Sequence, residues 1–206
     1  TVIASDIARK MEVMFDAVGM TAQRDFAHTL AVRFKNTVRE QLVDWGTFTA
    51  AGSCQTSQAM AIFYDIFEPG EKSAAFSRLM SLIEEKNGRF DVGVLGARVL
   101  FHVLAQFGQA ELAFKMIVGP GFPSYGFWLE NGATSLWENF RVSGRTASRN
   151  HHFWGDIGSW FIRYLSGIRL NPLCRDVNRV DIAPCFVGAL KYAKGLHIAP
   201  AGRISS

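Results

Sequence analysis

Three carboxylates, two adjacent histidines and four of the five tryptophans fall within one stretch, residues 123–160, PSYGFWLENGATSLWENFRVSGRTASRNHHFWGDIGSW. Glu138 directly follows Trp137, and His151 directly follows Asn150; Glu130 and Asp156 complete the carboxylates, while Tyr125 and Trp128 add aromatic faces. Aromatic rings stack on the apolar faces of sugars, and carboxylates and imidazoles supply the acid, base and hydrogen-bonding groups of glycoside chemistry. A saccharide is therefore the first ligand the composition suggests, with Tyr125, Trp128 and Trp137 as the candidate stacking surface.

Each of these residues also has an ordinary structural reading. An ionised carboxylate among apolar side chains is costly unless hydrogen-bonded or used, so Glu138 reads either as a catalytic group or as a capping or paired glutamate. His151 on its own fits a satisfied structural histidine better than a ligand contact, and His152 is taken as structural. Glu130 reads as a surface residue, and Asp156 as a first-turn carboxylate favoured by the helix dipole.

The elements that must position this stretch are helical. Ile7, Ala8, Met11, Met14, Phe15 and Val18 recur at helical spacing, with Ser5 as N-cap, and a second stripe runs from Phe26 to Leu42 after Thr21. Residues 45–53 break the period. Further helices are expected over about 55–67, 71–85, 94–104 and 110–118, the fifth being buried because it has almost no polar face. Gly93 and Gly96 are read as close-packing glycines. A last helix is expected from about Asn150 to Ser166. After Pro172 the texture turns to short β-type pieces, Arg179–Ala183 and Ala189–Ile198, too little sheet to stand alone. Short turns between successive helices predict hairpins arranged as a bundle, a solenoid or a toroid.

Composition narrows the function classes. With 49% hydrophobic residues the chain can bury a core, and 22 basic against 18 acidic residues, scattered without runs, argue against nucleic acid as a partner. The most apolar segment, Val92 to Phe107, carries Arg98 and His102 and is too short to span a membrane, so a soluble chain with no membrane partner is expected. Cys54, Cys174 and Cys185 lack metal-like spacing; a Cys174–Cys185 bridge stays open. No metal or other cofactor is implied, and the compartment is not legible: bacterial-type cytoplasmic, periplasmic and secreted locations all fit.

At the aromatic stretch the sequence resembles the α-L-rhamnosidases of glycoside hydrolase family 78. The resemblance rests on Pro123-Ser124-Tyr125-Gly126, on Asn131-Gly132-Ala133-Thr134-Ser135-Leu136-Trp137-Glu138 and on Ser148-Arg149-Asn150-His151. Cys54-Gln55-Thr56, Gly93-Val94-Leu95-Gly96 and Ala110 to Phe114 support it. It implies a mainly α fold, part of an (α/α)6 toroid of helical hairpins over residues 1–171, with residues 172–206 as the linker and first strands of a β-sandwich. It implies inverting hydrolysis of terminal α-L-rhamnose, Glu138 as general base, and His151 and Asn150 beside the sugar. The family's general acid sits on an acidic loop upstream of the helix at Ser5; no such loop precedes Glu138, so the proton donor is expected outside these residues. Asn139-Phe140 stands where the family usually has a basic residue and Trp. Read without its acid, the same pocket would serve a non-catalytic saccharide-binding module, and exposed helix faces would favour self-association.

Overall fold

The computed structural model describes residues 1–141, 148–170, 174 and 176–206. The chain forms two compact units, Thr1–Glu85 and Lys86–Ser206. The expected domain boundary at 171/172 lies outside the described residues.

In the first unit, α1 (Val2–Ala17) and α2 (Thr21–Gln41) form a helical hairpin. Ser5 is not its cap: α1 starts earlier, and the Ser5 hydroxyl, buried, donates to Ala31 O at 3.0 Å, tying the two helices together. The apolar stripe of Ile7, Met11, Met14 and Val18 is exposed, while the small and polar face with Ser5, Asp6 and Ala8 is buried. The segment read only as a break holds a two-residue hairpin, β1 (Val43–Asp44) with β2 (Thr49–Ala50). α3 (Gln55–Phe63) and α4 (Lys72–Glu84) make the next hairpin. Its pivot is Gln58, fully buried, which accepts from Ala50 N–H at 2.8 Å and donates to Phe48 O and Ala75 O. A buried amide survives because its donors and acceptor are all matched.

The second unit begins with α5 (Val94–Gln106) and α6 (Ala110–Val118). Residues 96–97 and 99–105 of α5 are buried, as its lack of a polar face predicts. Gly93 is the N-cap of α5, and a Cβ there would meet nothing, so it is not a close-packing glycine. That role belongs to Gly126 in α7 (Tyr125–Glu130): a Cβ there would fall onto the carbonyl oxygens of Val118 and Gly119. The helix expected over 150–166 is three pieces, a 3-10 turn (His152–Trp154), α8 (Asp156–Trp160) and a π turn (Phe161–Leu165). Trp160 Nε1 donates to Phe101 O at 2.8 Å and locks α8 to α5. The C-terminal pieces pair as β3 (Ile168–Arg169) with β4 (Asp181–Ile182), and β5 (Leu196–Ala199) with β6 (Gly202–Ser205), both antiparallel. Of the stretch 189–198 only its end is strand. All three cysteines are free thiols. Among the described residues no helix is long and apolar enough to cross a membrane.

Candidate active site

The site is built from two segments that α7 and the 3-10 turn deliver side by side. Ser124 caps α7, its hydroxyl accepting from Phe127 N–H at 2.8 Å. At the other end Gly132, with φ +78°, reverses the chain, and Ala133 N–H bonds back to Trp128 O. A side chain at that φ would be strained, which accounts for a glycine there. The loop that follows runs against residues 148–151. Glu138 N–H donates to Ser148 O at 2.8 Å, His151 N–H donates to Leu136 O at 2.7 Å, and the Ser135 hydroxyl donates to Arg149 O.

These cross-links bring Glu138 and His151 onto one cavity of about 720 Å³, whose wall also includes Arg89, Phe90, Asp91, Phe140, Arg141 and Trp154. Glu138 is half-buried. Its Oε2 accepts from Ser148 N–H at 2.8 Å; among the described residues Oε1 has no hydrogen-bond partner. A carboxylate held by one oxygen with the other open can orient and deprotonate a water. The half-buried His151 ring lies edge-on to Phe153, with centroids 5.0 Å apart, and among the described residues its nitrogens make no hydrogen bond. It can therefore donate to, or accept from, a ligand hydroxyl.

The aromatic residues pack around the segment that carries Glu138. Trp128 is 2% exposed, stacked on Phe140 with centroids 4.1 Å apart, and its Nε1 donates to Asn139 O. Trp154 packs edge to face against both Phe140 and Trp128, with centroids 4.8 and 5.9 Å away, and its Nε1 donates to Glu138 O at 3.0 Å. Tyr125 donates to Trp154 O at 3.1 Å; burial, reinforced by the charge of Asp156, pushes its phenol well above the usual range. Trp137 is 6% exposed and carries the Arg149 guanidinium over its ring at 5.2 Å. None of Tyr125, Trp128 and Trp137 lines the cavity that holds Glu138. Instead, two indole N–H groups hold consecutive carbonyls, those of Glu138 and Asn139, and so fix the backbone from which the carboxylate projects.

Asn150 is exposed, its N–H bonded to the Ser148 hydroxyl. The second-rank carboxylates are elsewhere. Glu130 accepts from Gly121 N–H at 3.4 Å, and Asp156 pairs at 2.7 Å with His102, a histidine only 2% exposed. Trp154, Phe140 and Arg141 were missed in the sequence as cavity residues, although their neighbours Glu138 and His151 marked the place. Nothing in the sequence linked His102 to Asp156.

Known proteins resemble this chain in sequence and in fold over most of its length. A curated α-L-rhamnosidase of Formosa agariphila is 28% identical over 160 residues, 74% of this chain and 17% of that protein. One from an Alteromonas species is 28% identical over 159 residues, 73% of this chain and again 17% of the relative. The chain thus spans about a sixth of the length of these relatives. The solved α-L-rhamnosidase of Dictyoglumus thermophilum superposes with a TM-score of 0.81 over 94% of this chain and 22% of its own, at 25% identity. That of Streptomyces avermitilis, complexed with L-rhamnose, superposes with a TM-score of 0.84 over 98% of this chain and 20% of its own, at 23% identity. The helical hairpins are therefore part of a six-hairpin toroid. The bacterial alpha-L-rhamnosidase 6 hairpin glycosidase domain matches residues 1–165, and the chain belongs to that family.

Proposed function

We propose that this chain carries part of the active site of an inverting α-L-rhamnosidase, with Glu138 as the general base. The observation that supports it is the convergence of Glu138 and His151 on one cavity, with Glu138 anchored through a single oxygen. A water on Oε1 attacks the anomeric carbon from the face opposite the leaving oxygen; the water's proton passes to Glu138, and the C–O bond breaks. His151 binds sugar hydroxyls, with its neighbour Asn150 as a further contact.

The leaving oxygen must be protonated by a second group. The other carboxylate on the cavity wall, Asp91, is engaged by Lys86 at 2.7 Å. The proton donor is accordingly assigned to a segment outside these residues. Residues 172–206 are assigned to a linker and the beginning of a β-sandwich.

An aryl rhamnoside whose leaving group departs without protonation tests the base alone. This chain is expected to hydrolyse it detectably, releasing rhamnose of inverted configuration by NMR, and to turn over alkyl rhamnosides at least ~100-fold more slowly, the usual contribution of a general acid. Glu138→Gln should lower turnover of the activated substrate by at least ~100-fold while rhamnose still binds. A product of retained configuration refutes the mechanism. Full turnover by the variant moves the base elsewhere.

A further inference from the structure

Arg163 lies half-buried in the π turn, and its Nε is sealed from solvent without a hydrogen-bond partner among the described residues. The rest of its side chain likewise forms no hydrogen bond or ion pair there, and the ten residues outside that set include no Asp or Glu. Desolvating part of a guanidinium with nothing to receive its hydrogens is costly, and a bound acceptor would remove that cost.

Other unspent polar groups stand beside it. Ser159, in α8, is four residues from Arg163 and shares its helix face. His197 comes from β5, and the three side chains line one cavity of about 370 Å³, a volume within the range of small-molecule sites. The Ser159 hydroxyl and the His197 ring, both half-buried, make no hydrogen bond among the described residues. A guanidinium binds an oxyanion through paired, charge-assisted hydrogen bonds, and a hydroxyl and an imidazole can each donate one more. The remaining wall is aliphatic, formed by Ile162, Ile168, Leu170 and Leu196. Such a wall offers a sugar ring no aromatic face to stack on, but it can bury a short alkyl or acyl chain.

We infer that this cavity binds a small amphipathic anion, a carboxylate or other oxyanion borne on a short aliphatic body, with Arg163 as its principal contact and Ser159 and His197 as further donors. None of these residues lines the cavity of Glu138 and His151, so the two sites stand or fall separately.

NMR titration of the chain, following the amide signals of Arg163 and His197, tests it with hexanoate, hexyl sulfate, neutral hexanol, and acetate as an anion without the aliphatic body. Hexanoate or hexyl sulfate is expected to shift these signals and to bind about tenfold or more tighter than hexanol, the scale of one charge-assisted contact. The better of the two distinguishes a planar carboxylate from a tetrahedral sulfate. Acetate should bind more weakly, because it leaves the aliphatic wall wet. Arg163→Gln should reduce the preference for the anion below about twofold. Should that variant not fold, Ser159→Ala serves in its place and should reduce the preference severalfold by removing one donor. The site is overturned by equal affinity for hexanol and the alkyl anions, by acetate binding as tightly as the better alkyl anion, or by a preference that survives the substitution. Signals that stay unmoved by every ligand up to about 10 mM overturn it as well.

Discussion

If Trp128 supports the backbone of the catalytic segment and is not a sugar-stacking surface, Trp128→Phe should register as a loss of stability first. The change keeps an aromatic ring against Phe140, 4.1 Å away, but removes the N–H that reaches Asn139 O at 3.0 Å. An acceptor left unmatched in this part-buried bond costs about 1–3 kcal/mol. The smaller ring leaves a void of roughly 40 Å³, worth about 1 kcal/mol more at the usual cost per unit of cavity volume. The expected loss is therefore about 2–4 kcal/mol, against a total of roughly 5–15 kcal/mol for a domain. Urea unfolding followed by tryptophan fluorescence reads it, because four of the five tryptophans lie in the unit of residues 86–206. With a denaturant slope of ~1–3 kcal/mol per molar, the midpoint should fall by about 1 M or more. An unchanged midpoint together with abolished rhamnose binding would refute the argument and return Trp128 to the sugar.

Gly126→Ala should destabilise by about 1–3 kcal/mol, since the new methyl meets the carbonyls of Val118 and Gly119, which cannot yield as a side chain would; thermal denaturation showing no loss would mean that α7 can shift freely. In the other unit, the Arg39 guanidinium bonds both oxygens of Glu71 at 2.7 and 2.9 Å and, with help from Glu68 N–H, lowers its pKa from 4.5 to about 2. Because the folded value is the lower one, the stabilisation is complete above about pH 4.5 and is lost as pH falls towards 2, so Glu71→Gln should cost about 1 kcal/mol at pH 7 and little at pH 2. Urea midpoints of the two proteins that fail to converge on acidification would contradict it.

What the sequence revealed, and what it concealed, follows from the range of the interactions involved. The helical hairpins were legible because 3.6-residue periodicity and Gly or Pro turns are local, and the buried α5 announced itself by its missing polar face. Glu138 and His151 were legible as a pair only through the likeness of Trp-Glu and Asn-His to a known family; residue type alone left both open. The aromatic residues were ambiguous in the sequence for a physical reason. An indole has the same composition whether its face is open to a sugar or its N–H is spent on a backbone carbonyl, and only the tertiary contact distinguishes the two. Trp128 and Trp154 take the second role because the segment 138–140 has no helix or strand to satisfy its carbonyls, and part-buried carbonyls need a partner. His102 with Asp156 was hidden for the same reason, its partners lying 54 residues apart. A carboxylate on irregular backbone needs an external frame, and here the frame is aromatic. The density of tryptophan around Glu138 thus marks groups that hold the backbone of the proposed base in place.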